Sequence, residues 1–480
     1  MKRLNELYAG INVDTKIKSI KINSKEVTKG DLFVCTMGVT ADRHDFVDEA
    51  KRKGAKALVV NHTVDSELPQ IIVEDTNKEL ANIVTKFYDY PSTKMKMIGI
   101  TGTDGKTSTA TIIYQLLNQV TKCGYIGTNG VKCPTYEDDS NNTTPTTEHL
   151  NRFLNNFYLN NCTYTCMESG SEGLAQGRCE NIEYDYSIFT NLTHEHLNYH
   201  KTMNNYMKAK SILFKQTKKT GTSILNIDDK YAKEISKFCN GKVLFYGKNE
   251  NADFRFTNVV ITPELTKFDL IHNNTTYHIT SPLLGMFNVY NLTAALAILI
   301  VDGYDINKFK LDNLYVDGRM TDINLGQNFK VIVDYAHTPN GYLNLFELTK
   351  TLKANRTIIV AGSAGERDKE KRPVMGKILV DNADLVVFTY EDPRSEDPMK
   401  ICEDIISELK ETHNNYEIVI DRREAIQKAI DMAGPKDIVL VLGKGNETYQ
   451  KLKDGKIDFN DVEEAYQAVA NRNIRESVNS

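Results

Sequence analysis

The stretch Met97–Leu117, MIGITGTDGKTSTATIIYQLL, constrains the fold more than any other. Its apolar run Met97, Ile98 and Ile100 predicts a strand, and a helical pattern begins at Thr109. Between them lies the turn Gly102-Thr103-Asp104-Gly105-Lys106-Thr107-Ser108. Strand, glycine-rich turn and helix together form a phosphate cradle, because bare backbone N–H groups and a positive helix end face one anion. Lys106 has the reach for the β and γ phosphates, and the Thr107 hydroxyl can ligate Mg²⁺. The spacing departs from the usual P-loop, since Ile100 stands where its first glycine falls. A bare GKT is often an ordinary turn. With a strand before it and a helix after it, an ATP site is the stronger reading.

The 480 residues exceed what one core can organise and predict about three domains. A net charge of −5 with both signs interspersed gives no basic field for nucleic acid. The opening MKRLNELYAG is too polar for a signal peptide, and no long apolar run suggests a membrane span. The eight cysteines are scattered without CxxC pairs, which fits a reducing cytoplasm rather than a disulfide frame or a zinc site.

An N-terminal α/β unit is expected over 1–95, with strands at Asp31–Cys35, Ala57–Val60 and Ile71–Val73 and helices at Phe46–Lys53 and Lys78–Tyr88. The P-loop domain is expected over 96–317. Its Tyr136–Thr147 stretch is too polar for a core, and Thr163–Met167 predicts a buried strand with Glu168 at its C-terminal end. A carboxylate at that sheet edge is a natural Mg²⁺ partner, although a cap or loop charge is the plainer alternative. His194, His196 and His200 crowd seven residues but lack a metal-binding frame. On the Asn205–Phe214 helix, spacing alone leaves Lys208 and Lys210 facing solvent. Asn288 and Asn291 open a long apolar helix, where capping is their ordinary role. From 318 to 480, strands at Val331–Tyr335, Thr357–Ala361, Leu385–Thr389, Glu417–Ile420 and Ile438–Leu442 alternate with helices, predicting a Rossmann-like, doubly wound domain whose polar strand ends gather at one edge.

Taken in order, GTDGKTS (102–108), NTTPTT (142–147), FTNLTHEHLNYH (189–200), YMKAKSILF (206–214), GMFNVYN (285–291), VDYAHTP (333–339), GERDKEKRPVMG (365–376), EDPR (391–394) and GKGNETYQ (443–450) resemble the Mur ligases, and among them the MurE type. The resemblance implies an N-terminal unit for a UDP-sugar, a central ATPase and a C-terminal amino-acid-binding domain. It implies ATP on Gly102–Ser108, with Asn288 and Asn291 near the adenine and Arg319, Asp334 and His337 reaching in from the third domain. The γ-carboxylate of D-Glu in UDP-N-acetylmuramoyl-L-Ala-D-Glu would take the γ-phosphoryl group, and an amino acid's amine would displace phosphate. Lys106, Glu168, His196 and Lys210 are the implied catalytic set. Thr107, Glu168, His196 and a carbamylated Lys210 would hold Mg²⁺. The muramoyl dipeptide would meet Ser24, Thr40, Thr143, Thr144, Ser171, Gln176 and Arg178, and the amino acid Arg367, Glu391, Asp392, Arg394, Gly443 and Glu447. A monomer is expected.

The chain also departs from the family's pattern. Gly170-Ser171 stands for a serine pair and Glu172 for the histidine after it; Glu195 and Asn198 replace two aspartates; Asn446 replaces a histidine. Arg394 points to meso-diaminopimelate as the incoming amino acid, while the acidic Glu391-Asp392 pair would suit lysine or another cationic side chain. The competing readings are a folylpolyglutamate synthetase-like ligase and an ATP-binding paralogue without catalysis.

Overall fold

The computed structural model describes every residue except 9, 10, 12, 38–41, 141, 410–412 and 480. Thr40 therefore lies outside the described residues. Three main sheets carry the α/β fold. The first has four parallel strands, Ile20–Lys21, Leu32–Val34, Ala57–Val60 and Gln70–Ile72, packed on the helix Thr76–Phe87. Asp75 starts that helix by accepting from the N–H groups of Asn77 and Lys78.

The second sheet has eleven strands. At its centre Lys96–Thr101 lies parallel between Tyr164–Glu168 and Tyr184–Phe189. Both faces are covered, which is why these strands read as apolar runs without clean alternation. Ile98 and Ile100 meet the helices Lys106–Leu117 and Met286–Val301, while Met97 meets Thr147–Leu159 and Met203–Lys215. The register pairs Ile100 with Glu168 and Thr101 with Phe189. The turn after Thr101, the Glu168 carboxylate and the segment from Thr190 thus share one edge, at the point where the chain switches direction across the sheet.

The third sheet runs Thr321–Asp322, Lys330–Asp334, Ile438–Leu442, Thr357–Ala361, Leu385–Phe388 and Tyr416–Ile418, parallel except at its first strand. Two buried arginines tie its helices to its strand ends. Arg422 donates to both carboxylate oxygens of Asp461 (2.8 and 2.6 Å) and to the Leu442 carbonyl (2.8 Å). Arg372 donates to Glu396 (3.0 Å), Asp404 (2.9 Å) and the Ala364 carbonyl (3.0 Å).

Two expectations change. The stretch 136–147 is not wholly outside the core: Thr144 and Thr147 are buried, because Thr144 Oγ1 donates to the Glu168 carbonyl (2.9 Å) and accepts from the Gly170 N–H (2.8 Å). Lys210 does not face solvent. It is 1% exposed, on the inner side of Met203–Lys215, whereas Lys208 is exposed. Among the described residues no helix is long and apolar enough to cross a membrane.

Burial raises the Glu396 carboxyl, but hydrogen bonds from Arg372, the Glu366 N–H and Lys369 outweigh it and bring the group down to about 2 from 4.5. A depressed folded pKa adds stability above the unfolded value and loses it as pH falls through the folded one. Glu396→Gln should therefore lower the stability of this unit by on the order of 2 kcal/mol near neutrality. In urea unfolding the gap from the parent chain should close as pH falls from 4.5 towards 2.

Candidate active site

The P-loop is clamped from beneath. Thr190 Oγ1 donates to the Asp104 carbonyl (2.6 Å), Asn191 Oδ1 accepts from the Asp104 N–H (2.9 Å), and the Asn191 carbonyl accepts from the Thr103 N–H (2.9 Å). Gly105 precedes the helix Lys106–Leu117 with φ of 83°, and a Cβ there would come within 2.6 Å of Asn291 Oδ1. Glycine is required on both counts. Asn291 also accepts from Thr109 (3.2 Å), so the two apolar helices are joined beside the loop.

Two lysines converge on one carbonyl. Lys106 Nζ donates to the Gly102 and Thr103 carbonyls (3.0 and 2.7 Å), and Lys210 Nζ donates to Gly102 (2.7 Å) while lying 4.4 Å above the Tyr206 ring. Burial and then the Lys106 charge hold the Lys210 ammonium well below its usual range. Burial lowers Lys106 too, opposed by the Glu168 and Asp104 carboxylates.

Glu168 is fully buried and closes the other side. It accepts from Thr107 Oγ1 (2.9 Å), Tyr125 OH (2.7 Å), and the N–H (2.8 Å) and hydroxyl (3.3 Å) of Thr128. A carboxylate and a threonine hydroxyl in contact at the end of a phosphate loop form a hard-oxygen set that suits Mg²⁺. Sequence reasoning missed Tyr125 and Thr128, because nothing in a lone tyrosine or threonine marks it as a carboxylate partner.

The three histidines part company. His196 begins a short helical turn with φ of 57°, its Nδ1 3.2 Å from Glu172 Oε1. His200 is buried, bonds Ser171 Oγ (3.0 Å) and stacks on Tyr206, and burial brings it down to about 4. His194 turns to the third unit, 3.4 Å from Asp368.

His196, unlike His194 and His200, lines a cavity of about 800 Å³ that the central and third units share. Thr103 to Ser108, Thr143, Thr144, Glu168, Ser171, Arg178, His196, Lys210, Asn291, Arg319, Asp334, His337, Arg367, Glu391, Asp392, Arg394, Gly443 and Glu447 all face it. Other expected residues do not. Asn288 is turned to the Leu284 carbonyl (2.8 Å), Gln176 bonds Arg178 (2.7 Å), and Ser24 lies in the first unit, hydrogen-bonded to Glu49. Gly102 sits just beneath, its carbonyl taken by the two lysines.

In the third unit Asp334 accepts from the Met320 and Ala336 N–H groups (both 2.8 Å), and Arg319 lies 4.5 Å over the Tyr335 ring. Burial keeps His337 neutral, with Nδ1 2.7 Å from the Tyr335 carbonyl. The acidic character expected of EDPR is offset: Lys444 donates to Asp392 (2.7 Å) and Glu447 (2.6 Å), and burial raises Glu391 to about 7. Buried and polar contacts join the central and third units beside the His194–Asp368 pair. Lys371 Nζ bonds both oxygens of Glu195, in the interior, and the His337 carbonyl, each at 3.0 Å. Asp104 of the P-loop accepts from Thr338 (3.2 Å) and Asn340 (3.1 Å).

Known families cover most of the chain: residues 16–97 match the Mur ligase family catalytic domain, 100–299 the Mur ligase middle domain, and 318–445 the Mur ligase glutamate ligase domain. A UDP-N-acetylmuramoyl-L-alanyl-D-glutamate–2,6-diaminopimelate ligase of Bacillus licheniformis is 38% identical over 472 residues, 96% of each chain. The protein of that name from Clostridioides difficile is 37% identical over 486 residues, covering 98% of this chain and 99% of that one. A solved structure with the same name matches at a TM-score of 0.66 with 27% identity, covering 98% and 99%. The MurF ligase of Thermotoga maritima in complex with ADP (0.68, 21%, covering 95% and 97%) and a Mycobacterium tuberculosis folylpolyglutamate synthase (0.65, 15%, covering 76% and 92%) share the fold. The chain belongs to the Mur ligase family of ATP-dependent ligases.

Proposed function

We propose that this protein joins meso-diaminopimelate to the D-Glu γ-carboxylate of UDP-N-acetylmuramoyl-L-Ala-D-Glu at the expense of ATP, in building a peptidoglycan precursor. The observation that carries the reading is one cavity in which a phosphate loop, the Glu168–Thr107 oxygen set and the Arg367–Arg394 region face each other. Full-length likeness to ligases of that name supports it, whereas the likeness to folylpolyglutamate synthase is one of fold and covers less of the chain. A paralogue without catalysis would have no need to keep Lys106, Glu168, His196 and Lys210 around one cleft.

We read the first unit, 1–95, as the holder of the UDP-sugar, 96–317 as the ATP unit and 318–480 as the amino-acid unit. The γ-carboxylate would attack the γ-phosphorus, ADP would leave and an acyl phosphate would form. The acceptor's amine would then attack the acyl carbon and release phosphate, leaving an amide and one proton. Mg²⁺ would neutralise the converging phosphates and carboxylate. This chain's residues do the positioning. Lys106, freed from the Gly102 and Thr103 carbonyls, would reach the phosphates; Thr107, Glu168 and His196 would offer the metal ligands. Lys210 suits carbamylation, because a buried amine with a depressed pKa is neutral more often and only the neutral amine adds to CO₂. Its carbamate would place an anion where an ammonium now stands. Arg394 and Arg367 would take acceptor carboxylates, and Glu447 and Glu391 an ammonium.

Phosphate release with ATP, Mg²⁺ and the muramoyl dipeptide should be selective for meso-diaminopimelate over L-lysine, D-lysine, L-ornithine and neutral amino acids. Turnover with L-lysine instead would reassign the acceptor, and silence throughout would overturn the ligase reading. Lys210→Ala should cut turnover by about a hundredfold or more, with partial recovery on adding short carboxylates. If the ionised form of Glu391 holds the acceptor ammonium, the acceptor's KM should fall as pH rises through about 7, and Glu391→Gln should flatten that profile.

A further inference from the structure

We infer that Glu172 is a positioning residue that joins the metal-facing histidine to the acceptor-facing arginine; this rests on the roles proposed above for His196 and Arg367. Glu172 lies on the short helix Ser171–Ala175, immediately after the strand that ends in Glu168. Its Oε1 is 3.2 Å from His196 Nδ1 and 3.9 Å from an Arg367 guanidinium nitrogen, so one carboxylate oxygen faces both units across the cleft.

Each contact has a distinct consequence. A histidine whose Nδ1–H points to a carboxylate keeps its lone pair on Nε2, and the carboxylate sets both tautomer and ring direction. His196 sits in a left-handed backbone conformation (φ 57°), and Glu172 is the carboxylate that faces its ring. The Arg367 contact is too long for a hydrogen bond, so the guanidinium is attracted to Glu172 but remains free to turn onto a substrate carboxylate. The neighbouring residue acts alike: Ser171 fixes His200, which stacks on the Tyr206 ring that also lies beneath Lys210. A neutral side chain at position 172 would carry no negative charge to attract both partners. The metal end and the acceptor end of this cleft therefore answer to one carboxylate.

The test uses the full-length protein. Glu172 is half-buried and lies at the cavity, so Glu172→Gln changes charge with little change of shape. Mn²⁺ binding to the ADP complex, followed by electron paramagnetic resonance, should weaken by about 10–100-fold in Glu172→Gln. In the same variant the acceptor's KM should rise severalfold. Glu172→Asp, which keeps the charge at shorter reach, should recover part of both effects, and circular dichroism establishes that each variant is folded. Retention of Mn²⁺ affinity, or of the acceptor's KM, overturns the inference. Absence of turnover in the parent protein would overturn the proposed function, and the Mn²⁺ comparison would still decide whether Glu172 orients His196.

Discussion

How closely the turn after Thr101 can approach the neighbouring strand end decides the geometry of the whole cleft. A Cβ on Gly102 would lie 1.8 Å from Thr190 Oγ1, so no other residue lets the loop settle there. Because it settles, the Thr190 hydroxyl and the Asn191 amide can hold the backbone of Asp104. The same approach leaves the Gly102 carbonyl facing inward, where it receives two ammonium groups from different helices. Two ammonium groups on one carbonyl, with only the Thr103 carbonyl added for Lys106, are sparsely compensated, and an incoming polyphosphate would make that deficit good.

The sheet supplies the second half of the arrangement at no extra cost in design. With parallel strands in fixed register, Glu168, the P-loop and Thr190 end at one level. The third unit repeats the device, with Asp334 beside Leu442 and Ala361 beside Phe388. Buried Arg422, gripped by Asp461 and by the Leu442 carbonyl, keeps the strand that leads into Gly443 and Lys444 from shifting against its helices. Breaking such a pair costs about 3–5 kcal/mol, so the acceptor end of the cleft is stiff.

Much of this was legible in the chain. The strand–turn–helix at 97–117 and the runs at Ala57–Val60, Thr357–Ala361 and Ile438–Leu442 carry local signals, and the strands fall where those signals put them. The burial of Lys210 was not legible from spacing, because the face a residue occupies on Met203–Lys215 depends on what packs against that helix; only the resemblance pointed to it. Tyr125 and Thr128 gave no signal either, since Glu168 stands 40 or more residues away and meets them only through the sheet register; Glu172 stood out only as a departure from the resemblance, with no hint of its partners. The acidity inferred for EDPR failed for the same reason: Lys444, which offsets it, comes from a different strand end.

The Lys371–Glu195 pair has a consequence for motion. Deleting one partner would strand a charge in the interior, but parting the two units lets water reach both charges at once, so the Coulomb energy lost is largely returned as hydration. Such a clasp fixes alignment tightly while adding little depth to the closed well. It can therefore be opened in every turnover to let product out, which a greasy seam of the same area would resist.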